Sequence, residues 1–367
     1  LLVTLTIHLS VQLLTASLPL YAVGLGADDA ALGILAGAGA VFALLSRLWA
    51  GQWIDRRGAK PVYVAGLLVA SVCAVGYWIA SSVTMLVAFR MLSGLSIGLF
   101  ATAGQTLAIH VTPRERWGWA LTLYSIGYPL AQIIGPPTGV VIARQAGYPW
   151  LFAVCVGVSI TAVLMSLRLA SGGMVATRGP VRLLQTAVFA PGLWLLSLSV
   201  AFGANFGLLA IHASRRGLAN PGAAFAAQSL AALVLLLVMS RYSDRIGRMA
   251  LVIPGLLLAG VGMWTTALAQ GWLLLPGAML VGVGHALALP TLHALAAEMV
   301  PPDARGGAIA TLGVLMEFGV VIGAVGGGFL SRALGTPAMF GLAGLAPLIG
   351  AAFAVTAARR RSSQNTP

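Results

Sequence analysis

The sequence predicts an all-α integral membrane protein with twelve transmembrane helices arranged as two pseudo-symmetric six-helix bundles. Three observations predict it. Hydrophobic residues make up 59% of the 367 and charged residues only 8%, with a mean hydropathy of +0.96. The apolar residues gather into runs long enough to cross a bilayer. Short motifs in the polar gaps recur at a constant spacing of 189 residues.

The shortage of charge bounds the class first. A soluble domain carries roughly 25% charged residues, and a water-facing surface cannot be made from so few. Against lipid an apolar surface is the stable one. The 46 glycines suit closely packed membrane helices. The net charge of +13 does not signal nucleic acid, because the basic residues sit in short clusters between apolar runs with no interleaved aromatics. Cys73 and Cys155 lie inside apolar runs without metal or redox spacing, and read as small packed residues. The chain starts at Leu1 without Met and is apolar at once, as a trimmed sequence would be. No basic segment precedes the first run, so it does not read as a cleaved signal peptide.

A span needs about 20 mostly apolar residues. Runs that qualify lie near 1–22, 31–53, 61–80, 83–109, 118–142, 149–169, 186–211, 222–241, 250–270, 272–297, 307–331 and 336–357. An even count puts both termini on one side. With the termini inside, only Arg144, Arg215, Arg216 and Arg332 fall in outer loops and Arg90 falls within a span; every other Lys and Arg is on the inner side. The bias places both termini in the cytoplasm, as for a multi-pass protein of a bacterial inner membrane. Residues 1–169 and 186–357 are then the two bundles. The Gly-, Ser-, Pro- and Arg-containing stretch 170–185 is a cytoplasmic linker, and 358–367 is a basic, then polar, tail expected to be disordered.

The repeat is read from the inner loops. Asp55-Arg56-Arg57-Gly58 and Asp244-Arg245-Ile246-Gly247 stand 189 apart, as do Pro113 and Pro302, Arg116 and Arg305, Gly118 and Gly307, and Thr122-Leu123 and Thr311-Leu312. Matches at one spacing, in loops of one sidedness, identify two copies of a six-helix unit in the same orientation. Parallel repeats of this kind occur in secondary transporters, with the binding site near the midplane.

The first inner loop carries Gly51, Asp55, Arg56, Gly58 and Lys60, and its degenerate second copy carries Asp244, Arg245, Gly247 and Arg248, with Ser240 in place of the leading glycine. Gly-x-x-x-Asp-Arg-x-Gly-x-Lys/Arg resembles the signature of the major facilitator superfamily, and the likeness extends over nearly the whole chain. Ala59 stands where a basic residue is common. A tight turn between helices needs Gly, and an acid at a helix end can pair with Arg or with a helix N-terminus. The resemblance implies that this motif, with Arg116 and Arg305, latches the halves when the inner gate is closed; a loop staple without a gating role is the other reading.

Span four carries Arg90-x-x-x-Gly94-x-x-x-Gly98, similar to the family's second motif. A guanidinium inside a span costs at least ~2.5 kcal/mol, so it needs a partner or a wet cavity. The resemblance implies a role in proton coupling, against a structural Arg reaching outward. Span five carries Ala131, Gly135, Pro136 and Gly139, similar to the motif of proton-driven exporters. Small residues four apart make one flat face, and Pro136 permits a bend. Span eleven has Gly319, Gly323 and Gly327 but no Pro; at the repeat spacing Ala324 and Val325 replace Gly135 and Pro136. Tight packing alone would also explain the motif.

Glu317 is the one acid deep in a span. A carboxyl withdrawn from water can trade protons near neutral pH, which makes Glu317 the leading coupling site or the anchor for a cationic substrate group; a structurally paired acid is the alternative. Gln105, Tyr128, Gln132, Asn205, Gln228 and His285 are candidate cavity residues, each equally able to bond between helices. Tyr21, Tyr124 and Phe206 are further aromatic candidates. His8, His110, His212 and His293 complete the histidines, and none forms a metal motif. No phosphate loop, triad or zinc pattern marks an enzyme. The expectation is therefore a transporter without cofactor, driven by an ion gradient, taking a small-molecule substrate, binding no nucleic acid and monomeric by analogy with the family. The closest pattern is the twelve-helix drug/proton antiporter branch, an efflux system; Pro19-Leu20-Tyr21 closing span one fits the branch that includes metallophore exporters. Metabolite uptake by the same fold, and a receptor or scaffold, are the alternatives.

Overall fold

A computed structural model describes residues 1–170, 185–239, 247–301 and 304–364. Among them there is no strand, and twelve helical segments are long and apolar enough to cross a membrane. The chain divides into two compact units: Leu1–Gly179 with Asn220–Ala226, and Pro180–Ala219 with Ala227–Pro367. The short stretch Asn220–Ala226, placed in the second bundle by sequence, groups with the first unit. Most of the expected linker lies outside the described residues.

Unit 1 is built from α1 (Leu2–Gly24), α2 (Asp29–Arg57), α3 (Ala59–Ile79), α4 (Val83–His110), α5 (Trp117–Gln145) and α6 (Tyr148–Leu167). Local chemistry sets its boundaries. Asp28 caps α2 by accepting from the Ala31 N–H at 2.8 Å, and Ser82 caps α4 through the Met85 N–H at 3.3 Å. Gly58, at φ 83°, makes the sharp turn from α2 into α3 that its place in the inner-loop motif predicts.

Unit 2 contains α7 (Phe189–Arg215), α8 (Gly222–Met239), α9 (Arg248–Leu268), α10 (Leu274–Glu298), α11 (Arg305–Val321), α12 (Gly327–Leu334) and α13 (Thr336–Gln364). The first turns of α8 belong to unit 1. A π-helical stretch, Ile322–Gly326, joins α11 to α12, so the three form the eleventh span. The last helix continues to Gln364, past the tail boundary expected at 357.

The repeat is visible in the packing. The pairs α1–α5, α1–α6, α3–α4 and α3–α6 recur as α7–α11, α7–α13, α9–α10 and α9–α13. The two cores use matched positions: Leu67 and Leu256, Tyr63 and Val252, Ala162 and Ala351. Leu99 with Ala103 becomes Ala288 with Leu292. The large and small side chains trade places, which holds core volume constant at little cost. Thr122 donates to the Gly118 carbonyl at 2.9 Å and Thr311 to that of Gly307 at 2.8 Å, the same bond 189 residues apart. Large apolar side chains such as Trp78, Trp150 and Leu164 stay exposed, as suits lipid. Cys73 and Cys155 are buried free thiols.

Candidate functional site

The inner-loop motif of unit 1 sits on the last turns of α2 and the first of α3. Gly51 faces open space, so packing does not require it. Asp55 is half-buried and engaged in a polar or electrostatic contact. Arg56 and Arg57 are exposed at the end of α2, where their charge complements the terminal carbonyls. Lys60 does something the pattern did not show: its Nζ donates to the carbonyls of Leu167 at 2.9 Å and Leu169 at 2.5 Å, fastening α3 to the end of α6. Arg116 and Arg305, at the starts of α5 and α11, are exposed. In the second copy Gly247 and Arg248 are described, and Arg248 pairs with Glu298 at 2.7 Å. Asp244 and Arg245 lie outside the described residues.

Arg90 is the eighth residue of α4 and points inward. Its Nε lies 3.2 Å from where a Cβ on Gly39 would stand. Tyr77 and Ser93 lie beside it. Gly94 and Gly98 press on the backbone of α2 at Gly39 and Ala43, leaving no room for a side chain. The span-four motif thus combines a close helix contact with a half-buried cation.

In α5, Ala131, Gly135, Pro136 and Gly139 are all buried. Gly135 lies against Gln12 and Leu13, and Gly139 against the Leu13 carbonyl of α1. Pro136 and Pro137 remove two N–H donors from the helix ladder. The Pro137 carbonyl accepts from Asn220 Nδ2 at 3.0 Å. The corresponding row of unit 2 behaves alike: Gly319 lies against the Leu196 carbonyl and Gly323 against that of Val200. Close packing is therefore one function of both rows.

Glu317 is 7% exposed on α11 and is held by a polar or electrostatic contact. It stands 189 residues after Tyr128, so the repeat places an acid in one unit where the other has a phenol. Tyr128 meets His8 edge-on, with ring centroids 5.5 Å apart. Gln132, one turn further along α5, is buried. Gln105 is exposed on α4. In unit 2, Asn205 Nδ2 donates to Gln228 Oε1 at 2.9 Å, while Asn205 Oδ1 is buried with no donor within reach. His285 stacks on Phe202 at 4.7 Å, and Phe202 stacks on Phe206 at 6.0 Å. Tyr21 and Tyr124 act as pins: their hydroxyls donate to the carbonyls of Ala80 at 3.0 Å and Ala101 at 3.1 Å.

Three participants were missed by sequence. Gln12 is 1% exposed, accepts from Thr15 at 2.6 Å, and has its Nε2 buried without a partner. The rule that selected Gln132 would have found it. Phe202 gave no signal among the many apolar residues of α7. His8, named only as one of the histidines, meets both Tyr128 and Phe100, the latter with ring centroids 5.4 Å apart. No cluster of three or more His, Cys, Asp or Glu that could hold a metal occurs among the described residues.

Comparison with known proteins decides the family. The Major Facilitator Superfamily profile matches residues 1–224 and 217–367. The chain belongs to that superfamily. It is similar to the uncharacterized MFS-type transporter YhhS of Escherichia coli strain K12, at 28% identity over 81% of this chain and 76% of that one. YhhS of Salmonella typhimurium strain LT2 gives 29% with the same coverage. Among solved structures, a bacterial homologue of the human lysosomal transporter Spinster, inward-facing and unoccupied, aligns with a TM-score of 0.77 at 15% identity, covering 98% of this chain and 95% of that one. An auto-inhibited POT-family peptide transporter aligns at 0.79 and 12%, covering 97% and 95%. These likenesses establish the fold. The protein is thus a multi-pass membrane transporter for a small-molecule substrate, in a superfamily that as a rule works without a bound cofactor.

Proposed function

We propose that this transporter exports small amphiphilic compounds, drug- or metallophore-like, across a bacterial inner membrane in exchange for protons. It works as a monomer with both termini in the cytoplasm, by alternating access of its two halves. The observation that carries this reading is Glu317, a buried carboxyl in the body of a span. A carboxyl that accepts either a proton or a cationic substrate group, and not both, exchanges one for the other. Protonation makes it neutral and compatible with a closed, dry site; ionisation readies it for the next cation. Asn205, Gln228, His285 and the adjoining Phe202 and Phe206 supply polar and aromatic surface for an amphiphile, with Gln105, Tyr128 and Gln132 doing so in unit 1. Asp55 and its motif, with Arg116 and Arg305, act at the inner gate, and Arg90 supports coupling.

Proteoliposomes with an imposed pH gradient test this. Wild type should move at least one compound from a broad cationic and zwitterionic panel against its gradient, with matched proton flux. Glu317→Gln should fold normally and lose all response to the pH gradient. Normal coupling in that variant would end the assignment of Glu317. Substrate accumulation inside cells would favour metabolite uptake over export.

A further inference from the structure

We propose that an acyl chain of a bilayer phospholipid occupies a groove on the lipid-facing side of unit 1, between α3 and α6. The groove has a volume of about 320 Å³. It follows α3 from Ser71 to Ile79, about 12 Å along the axis, with Val156 and Ile160 of α6 opposite and Phe89 of α4 laid against Gly76. Val72, Val75 and Ile160 are exposed on its walls, so it opens toward hydrocarbon.

The second copy shows what such a groove takes. At the repeat spacing Val75 becomes Trp264, Phe89 becomes Ala278, and Val156 and Ile160 become Leu345 and Ile349. In unit 2 the indole of Trp264 crosses from α9 to α13. Its Nε1 donates to the Gly341 carbonyl at 2.9 Å, and its Cδ1 lies 2.9 Å from where a Cβ on Gly344 would stand. In α6 the bulkier Phe152 and Cys155 stand at those two positions, and Val75 is too short to cross. The chain covers this cleft with its own side chain in one copy and leaves it open in the other. A gap there would forfeit the contacts of its lining atoms.

The lining selects the occupant. No charged side chain lines the groove, and its one polar side chain, Ser71, already donates to the Leu67 carbonyl at 3.1 Å. An ion, a headgroup or an extended peptide finds no hydrogen-bond partner there. A helix of another chain does not fit: about 10 Å across, it would need roughly three times this volume over the same length. A hydrocarbon chain does fit, since the space equals about ten groups the size of a water molecule. The bilayer presents such chains at the mouth of the groove. Trp78 and Trp150, exposed near the end of α3 and the start of α6, mark the headgroup level, so the chain enters from the Ile79 end.

Lipid carried through purification reads the groove directly. After extensive detergent washing, native mass spectrometry of wild type should show one retained phospholipid per chain, and stripping it should lower the Tm. Adding back phosphatidylglycerol with brominated chains should restore the Tm saturably and quench tryptophan fluorescence. Val75→Trp fills the groove with an indole from α3. Ile160→Trp does so from α6 and covers the case in which Val75→Trp does not fold. Either variant should lose the retained lipid, keep its Tm on stripping, and need about tenfold more added lipid for half-saturation. No retained phospholipid in wild type, equal retention in both variants, or a second copy of the chain seated on α3 and α6 would each overturn the proposal. Retention of a free fatty acid or of detergent in place of phospholipid would overturn it too. Glu317→Gln should retain the lipid as wild type does, so failure of the groove and failure of the transport assignment are separate results.

Discussion

The fifth and eleventh spans occupy the same place in the two repeats, and in both the regular α-helical hydrogen-bond ladder is interrupted at the same level by different means. In α5, Pro136 and Pro137 delete two backbone donors. In the eleventh span every donor is present, but Ile322–Gly326 winds as a π-helix, over the positions that correspond to the two prolines. Both breaks lie beside a row of glycines pressed against α1 or α7. The chemistry nearby diverges: Glu317 answers to Tyr128. The duplicated scaffold has kept a weak point in each copy, while at this position only the second copy carries a carboxyl. π-Stretches inside helices gather at functional sites, which fits a transporter whose units must flex near the site.

The comparison breaks most visibly if the π-stretch is removed. Deleting one residue from Ile322–Gly326 removes the extra residue that the wide turn accommodates and lets the α-helical ladder run through, so the weak point is lost while the flanking segments keep their facing. Transport should fall to background even if the protein still reaches the membrane. Pro136→Ala is the matched test in unit 1. It should leave the Tm nearly unchanged, since one hydrogen bond is worth only about 1 kcal/mol net, yet transport should drop sharply if the break serves motion. Wild-type transport in Pro136→Ala would reduce the span-five motif to a packing device.

Packing across the same interfaces gives the next largest effect. Gly139→Leu and Gly323→Leu place side chains on the Leu13 and Val200 carbonyls. Each should cost about 3 kcal/mol, the upper range for overpacking, read as a lower Tm in detergent. Gly157→Ala, where a Cβ meets open space, should stay within about 0.5 kcal/mol. Similar losses in both units would show that the repeat is energetic as well as geometric.

The buried amides sharpen the contrast in chemistry. Gln228→Leu strands Asn205, which already has an unmatched oxygen, and should cost about 1–2 kcal/mol. The double variant Asn205→Leu/Gln228→Leu removes both partners and should recover most of that stability while still failing to transport. Recovery of both together would make the pair purely structural.

What the sequence disclosed follows from which forces act locally. Spans are set by hydropathy over some twenty residues, so their number was legible, while ends such as that of the last helix were not; Gly58 was legible because a two-residue-scale turn demands it. The repeat was legible because motif residues such as Pro113 and Pro302 recur at one spacing. The π-stretch was not, because nothing local forces it: no proline marks it, and it depends on how α11 seats on α7. The stacking of His285 on Phe202 depends in the same way on the seating of α10 against α7. Lys60 lies in the inner-loop motif, which implies a gate role, and spacing carries no sign of its contacts with carbonyls 107 and 109 residues away.

The smallest predicted effects come from those inner-side fasteners, where the two copies again differ. In unit 1 an ammonium serves two carbonyls at the end of α6; in unit 2 Arg248 pairs with Glu298, with side chains 27% and 52% exposed. An exposed ion pair is screened and contributes about 0–1 kcal/mol. Lys60 satisfies the carbonyls of the last residue of α6 and of Leu169 just beyond it, so its removal leaves them to water. Lys60→Met should therefore lower stability by about 1 kcal/mol, and the loss should persist at high salt. Glu298→Gln should cost less than that, and the difference from wild type should vanish as salt rises. Equal, salt-sensitive losses would mean that Lys60 acts only as a surface charge and that its gate role rests on the motif alone.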